Sequence, residues 1–270
     1  MPISRIPYAE LPESVRHAVE AITGRPESLE AVSEGLNSAV AVKLHTTQGT
    51  YFMKALRTDH RWVWTQEREA EVAPYVRHVA PALHARIVEA GWDVLVFDAL
   101  TGHRADYAPG SPDLPYVMNL LTRIGQTECP DIPLRRAEQR LESYASAEDL
   151  NFFAGNAFLH TDLNNANIIV DENQASIVDW GWATRGAPWL DAAYWVVWLI
   201  AAGHAPHSAE QWATQIAAWR TAPQDGVTAF ARANARMWSE IGGANPDDWT
   251  APLIMASTAW SAFRTNKSDL

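Results

Sequence analysis

The apolar positions change period part-way along the chain, and the change marks two regions. Over residues 8–23, Leu11, Val15, Ala18 and Ile22 recur at helical spacing, and Gly24 stands where a C-terminal cap is expected. Val40, Val42 and Leu44 then alternate with smaller or polar residues, and a turn around 46–49 leads into the run from Tyr51 to Leu56. Two such runs joined by a short Gly-containing loop predict a β-hairpin. A Glu-rich stretch over 64–79 suits a helix, and Val94-Leu95-Val96-Phe97 is compact enough for an internal strand.

Beyond Gly102 the pattern is different. Residues 103–114 carry two prolines and a glycine and predict a connecting loop. From 115 onward the period is helical, with Val117, Leu120, Leu121 and Ile124 on one stripe. Residues 188–203 are apolar on every side, as a buried central helix is. Ser208 with Gln211 has the form of a capping box opening a helix that bears Trp212, Ile216 and Trp219. A further helix is expected over 226–241, stopping at Gly242-Gly243. No internal repeat or low-complexity segment interrupts this order. The pattern predicts an α+β protein with a small β-rich first lobe, residues 1–98, and a larger, mainly helical second lobe, residues 99–270.

Composition narrows the classes. The 270 residues are 47% hydrophobic and 20% charged, which suits a folded globular chain. A net charge of −11 argues against a nucleic-acid partner, which asks for a basic face. The single cysteine, Cys129, offers neither an internal disulfide nor a cysteine zinc site. The most apolar run, 188–203, has 16 residues and carries Asp191, too short and too charged to span a bilayer, and residues 1–7 lack a signal-peptide core. The expectation is a cytoplasmic protein with no membrane partner, a monomer or a homodimer.

One stretch carries the chemistry. His160-Thr161-Asp162-Leu163-Asn164-Asn165-Ala166-Asn167 precedes the β-prone run Ile168–Val170; a polar turn follows, then Ser176-Ile177-Val178 and Asp179-Trp180-Gly181. In an antiparallel hairpin the start of the first strand lies beside the end of the second. Asn167 and Asp179 are therefore expected at one end, an amide oxygen and a carboxylate of the hard type Mg²⁺ accepts. Asp162, five residues before Asn167, enters from the adjoining loop. Phosphoryl transfer needs such a set: a metal to neutralise phosphate charge and a separate carboxylate to orient and deprotonate the attacking hydroxyl.

The spacing resembles the H-x-D-x-x-x-x-N loop and metal-binding aspartate of the protein-kinase-like superfamily, and most closely the aminoglycoside phosphotransferase family. Thr161 replaces that family's usual glycine. The resemblance covers roughly residues 26–195 and implies a bilobal kinase-like fold acting on ATP, with GTP left open, and Mg²⁺. By the resemblance Asp162 is the catalytic base, Asn167 and Asp179 hold the metal, His160 orients the loop, and Asp191 braces it. In the first lobe, Gly35 and Asn37 resemble the family's phosphate-facing turn. Lys54, a lysine inside an apolar strand, is expected to fix the nucleotide phosphates. Glu69 is its expected brace, with Glu71 the runner-up and Glu67 a third candidate. Phe97 and Ala99 fall in the segment that resembles the adenine-binding hinge.

Asp191 follows Asp179 by twelve residues, which leaves little room for a peptide platform, and position 161 lacks the arginine of phosphate-activated protein kinases. The acceptor is therefore expected to be a small molecule with a hydroxyl: an aminoglycoside-like antibiotic or a related metabolite. The family's choline, homoserine and macrolide kinases show that sequence does not choose among these. Glu210, Asp225, Glu240, Asp247 and Asp248 offer charge to a cationic acceptor, but ordinary helix-surface charge is the favoured reading. Trp195 and Trp198 are read as core. The alternatives are a non-catalytic nucleotide-binding pseudokinase and, behind it, a protein kinase.

Overall fold

The computed structural model describes residues 5–32 and 38–268, with the side chains of the last two described residues left aside. Gly35 and Asn37 lie outside the described residues. Two compact units make up the chain: Met1–His103 with Ser176–Trp182, and Arg104–Ala175 with Ala183–Leu270.

The first unit opens with one 3-10 turn, Tyr8–Glu10, and then α1 (Glu13–Thr23). Pro12 separates them, because proline has no N–H with which to continue the first turn's hydrogen bonding. The buried stripe of α1 is Val15, Val19 and Thr23, continued backward by Leu11, whereas Ile22 is 41% exposed. The expected face is thus rotated: steps of four keep 11, 15, 19 and 23 aligned, and Ile22 falls off that row. A five-stranded antiparallel sheet follows. Its strands are β1 (Ser28–Ala31), β2 (Val40–Thr46), β3 (Gly49–Arg57), β4 (Leu83–Glu89) and β5 (Trp92–Asp98), in spatial order β1-β2-β3-β5-β4. One face packs Val40, Val42, Leu44, Met53, Ala55, Val94 and Val96 against Leu11, Val15 and Val19. The period of two sends Lys54, opposite Ala41 and Leu95 in the ladder, to the other face. Toward that face comes α2 (Val63–Val72), held to β5 by Gln66 Nε2 donating to the Asp93 carbonyl at 2.8 Å. The helix ends well short of residue 79: Pro74 cannot donate, and one 3-10 turn, Ala73–Tyr75, closes it.

Short strand β6 (His103–Arg104) carries the chain into the second unit, where α3 (Leu114–Gly125) buries Val117, Leu120, Leu121 and Ile124. Next come β7 (Arg135–Arg136), α4 (Ala137–Arg140), α5 (Ala147–Phe153), β8 (Ala157–Leu159), β9 (Ile168–Val170), β10 (Ala175–Ile177), whose last two residues belong to the first unit, and β11 (Thr184–Gly186). The second unit is completed by α6 (Leu190–Ala201), α7 (Pro206–Ala213), α8 (Ala217–Arg220), α9 (Gln224–Gly242) and α10 (Thr250–Ser268). Strand β11 runs antiparallel to β8, with Thr184 opposite Leu159, and parallel to β7. Helix α6 is buried almost all round, and its neighbour α9 packs Phe230 edge-to-face on Tyr194, Trp189 and Phe153. The expected helix through Trp212, Ile216 and Trp219 is two pieces. Ser208 lies inside α7, which Ala205 and Pro206 open, so it caps nothing; Ile216 sits in extended backbone before α8.

Candidate active site

In the first unit a cation is held between two carboxylates. Lys54 Nζ lies 2.5 Å from Glu69 Oε2 and 3.1 Å from Asp179 Oδ1. Of the three glutamates in this region, Glu69 is the one paired with Lys54; Glu67 meets Arg86, and Glu71 meets Arg68. Lys54 and Glu69 are both buried. Burial opposes the ammonium charge, but Asp179 and Glu69 outweigh it and raise the Lys54 pKa. Burial, with the Asp179 charge adding to it, pushes the Glu69 carboxyl up to about 7 against the pull of Lys54 and a hydrogen bond from the Trp180 backbone N–H. Asp179 itself has φ +65°.

The expected hinge is placed differently from its residues' assignment. Phe97 lies inside β5, opposite Phe52 on one side and Leu83 on the other, so its backbone belongs to the ladder. The Ala99 N–H donates to the Thr50 carbonyl at 3.1 Å, which spends the donor an adenine edge would use there.

In the second unit the 160–167 loop is fixed from several sides. Asp191, at the start of α6, accepts the backbone N–H groups of His160 and Thr161 at 2.9 and 2.8 Å. Burial is the largest influence on Asp191 and lifts its pKa to about 6, against those two bonds and the nearby Arg140 charge. His160 is fully buried, and its Nδ1 accepts the Asp162 N–H at 3.2 Å, which places the ring proton on Nε2 in the neutral form. Thr161 has φ +67°, a conformation a β-branched residue resists and a glycine would not. Arg140 offsets that cost by donating to the hydroxyls of both Thr161 and Thr184. Asn167 donates Nδ2 to the Asp162 carbonyl at 3.2 Å, so its amide oxygen is turned away from that carbonyl and is the metal-type donor of the side chain. Asn164 Oδ1 caps the single turn Asn165–Asn167, Asn165 Nδ2 reaches the Ala105 carbonyl, and buried Tyr107 donates its hydroxyl to the Leu163 carbonyl. Burial and the Asp162 charge push the Tyr107 phenol well up, so it stays a donor.

Sequence reasoning missed Arg140 and Tyr107, which lie 22 and 55 residues before Asp162 with no motif around them. The tryptophans that follow the motif take different places. Trp180 and Trp182 belong to the first unit; Trp189 and Trp195 are buried in the second; Trp198, half-buried, meets Trp238 and Trp249. Glu210 is no surface charge: it is buried, 2.5 Å from Arg264 Nε and accepting from Trp260 Nε1 at 2.8 Å. Asp225, Glu240, Asp247 and Asp248 are exposed.

A lysine held by a helix glutamate and an aspartate, with a separate Asp-bearing loop braced by a buried carboxylate, defines a protein-kinase-like phosphotransferase. Residues 99–238, over half of the sequence, match the model of the phosphotransferase enzyme family, and the chain belongs to that family. By that family it is a phosphotransferase. Among solved structures, it resembles the choline kinase LicA from Streptococcus pneumoniae at 13% identity and TM-score 0.66, over 93% of this chain and 98% of that one. An aminoglycoside phosphotransferase from Alicyclobacillus acidocaldarius aligns at 13% identity and TM-score 0.61, over 98% of each chain. A thermostable mutant of the aminoglycoside phosphotransferase APH(4)-Ia, solved with AMP-PNP and hygromycin B, aligns at 12% identity and TM-score 0.60, over 95% of this chain and all of that one. At these identities the likeness is one of fold. No curated protein matches in sequence. Among the described residues no helix is long and apolar enough to cross a membrane.

Proposed function

We propose that this enzyme transfers the γ-phosphoryl of ATP, with Mg²⁺, to a hydroxyl of an aminoglycoside-like antibiotic or a related small metabolite. The observation that carries the proposal is the buried Lys54 ammonium held between Glu69 and Asp179. An unreactive core has no use for so costly a group, whereas a nucleotide's phosphates need a fixed cation. Residues 1–98 form the nucleotide-binding lobe in this reading, and residues 99–270 the catalytic and acceptor-binding lobe. Lys54, braced by Glu69, binds the phosphates. The adenine edge is met by backbone past the end of β5, by the Ala99 carbonyl and the residues after it, since the Ala99 N–H is taken by Thr50.

The donor chemistry of Asp179 and of the Asn167 amide oxygen fits Mg²⁺, which takes carboxylate and carbonyl oxygens. When bound, the ion neutralises charge on the phosphates. Asp162 orients the acceptor hydroxyl and takes its proton. Asp191, His160 and Arg140 act on Asp162 through the loop backbone and touch neither substrate. Glu210 drops out of the set of acidic groups offered to a polycation, which favours an acceptor carrying less positive charge as a second reading. Use of ATP and a chain with a single thiol suit a cytoplasmic setting.

Asp162→Ala tests the assignment. It should abolish phosphate transfer in a screen of hydroxylated antibiotics and metabolites read by ADP release, with Mg·AMP-PNP affinity unchanged. Transfer at near-native rates by Asp162→Ala would remove Asp162 as the base. Nucleotide binding by the native chain with no turnover on any acceptor would leave the pseudokinase reading instead.

A further inference from the structure

The helix that carries Glu69 is poorly equipped to hold its own position. Helix α2 has ten residues and no side-chain cap at its N-terminus, a length that is marginal without tertiary support. Besides the Gln66 bond to β5, it is supported by the four residues Asp179–Trp182, all in the same unit. Trp62, Thr65 and Glu69 stand at i, i+3 and i+7 and so share one stripe of the helix and its N-terminal boundary. The segment runs along that stripe in the opposite direction. Asp179 meets Lys54, the partner of Glu69. The Trp180 N–H donates to the Glu69 carboxylate. Gly181 passes Thr65 so closely that a Cβ there would lie 2.7 Å from the Thr65 Cβ and 3.0 Å from its carbonyl oxygen. Trp182 then meets Trp62 and Trp64 at ring-centroid distances of 5.5 and 5.1 Å, the second edge-on at 86°. Trp62 and Trp64 also meet each other at 6.2 Å, and the Arg61 guanidinium covers Trp62 at 5.0 Å.

We infer that Trp182, with Trp62 and Trp64, is a clamp that sets the position of Glu69 and, through it, of the Lys54 ammonium. Trp182 is thus a positioning residue for nucleotide binding. This rests on the assignment of Lys54 to the nucleotide phosphates. Three rings hold the start of α2, one hydrogen bond from Trp180 holds its last turn, and Gly181 allows the close approach between them. The helix cannot swing without dragging the segment that carries Asp179. The Lys54–Glu69–Asp179 cluster is therefore held by contacts within the fold itself. The three tryptophans are each half-buried. They contribute interlocked ring geometry more than core burial, so the clamp tolerates another aromatic ring better than a small residue.

The test is Mg·AMP-PNP affinity by titration calorimetry, with thermal unfolding measured on the same samples. Trp182→Ala removes both ring pairs and should weaken Mg·AMP-PNP binding about tenfold, whereas Trp182→Phe should stay within about threefold of native. Trp198→Ala, which removes a half-buried tryptophan of the other unit, should leave the affinity unchanged even where it lowers Tm. Should Trp182→Ala not fold, Trp182→Leu and Gly181→Ala carry the same expectation of weakened binding. Native affinity in the folded Trp182 and Gly181 variants would overturn the clamp. So would equal losses in Trp182→Ala and Trp198→Ala, because the effect would then be general destabilisation. Lys54→Met separates the two levels: if it retains native affinity, the nucleotide assignment itself fails, whatever Trp182 does.

Discussion

Replacing Lys54 by methionine removes the ammonium and keeps most of the aliphatic stem. The consequence turns on Glu69, whose side chain is 6% exposed and whose carboxyl burial has already pushed up to about 7. Without the ammonium, burial and the Asp179 charge act with less opposition, and the Glu69 pKa moves above 7. The unfolded chain titrates this group near 4.5. A carboxyl raised in the folded state holds a proton that the unfolded state has lost, so stability falls as pH rises between the two values. In the native protein that fall ends near pH 7; in the variant it continues. The deficit of Lys54→Met should therefore be level below pH 7 and grow above it, by at most about 1.4 kcal/mol per pH unit. Between pH 7 and 8.5 the added loss is ~1–2 kcal/mol. The level part should fall below the roughly 3–5 kcal/mol of a stranded buried charge, because Glu69 takes up a proton instead. Urea unfolding of both proteins at pH 6, 7 and 8.5, with m-values compared, measures this directly. An equal deficit at pH 6 and 8.5 would show that Lys54 is not what keeps Glu69 ionised, and the coupling argued for this cluster would fall.

Asp191, raised from 3.8 to about 6, should cost the native protein roughly 3 kcal/mol of stability as pH rises through that interval, and Asp191→Asn should remove this part of the slope in acid-range unfolding. Arg140→Met leaves Thr161 in its left-handed conformation without the bond to its hydroxyl; turnover should drop about tenfold with Mg·AMP-PNP affinity unchanged, a split that steady-state kinetics and calorimetry together read. Arg264→Met strands the buried Glu210 carboxylate and should cost about 3–5 kcal/mol, measured by urea unfolding, without altering nucleotide affinity.

What the sequence made legible follows from which physical signals are local. The alternation of Val40, Val42 and Leu44 and the stripe Val117, Leu120, Leu121, Ile124 are written in neighbouring residues, and both lie in the expected elements. Edge strands carry a weaker signal: β1 is exposed along its whole length, and β4 buries little, so neither has the apolar contrast that marked β3 and β5. Glu210 looked like any acidic residue on a helix because its partner, Arg264, comes from another helix 54 positions later. Arg140 was invisible for the same reason, its two hydroxyl partners standing 21 and 44 residues onward. The order His160, Asp162, Asn167, Asp179 was readable because it is compact in sequence; the partners that hold each member in place are not.

Backbone conformation shows why that compact stretch needs distant support. Among the described residues three non-glycine positions have positive φ: Ala90, Thr161 and Asp179. Ala90 lies with Gly91 in the tight hairpin between β4 and β5, where such a conformation is ordinary. The other two lie in the chemistry-bearing segments, where each costs of order 1 kcal/mol or more. Each is held by side chains from elsewhere: Thr161 by Asp191 and Arg140, and Asp179 by Lys54, 125 positions earlier. The strain and its compensation sit together, so removing a holder releases the turn as well as a contact. A protein kinase uses such release as a switch, ordering the cluster only on a signal. Here the holders are side chains of the fold itself, Asp191, Arg140 and Lys54, and tryptophan rings rather than a phosphorylated side chain secure the helix. A phosphotransferase built this way fixes its phosphate-binding cation through the same contacts that hold its strained turns, so loss of one holder is felt at both.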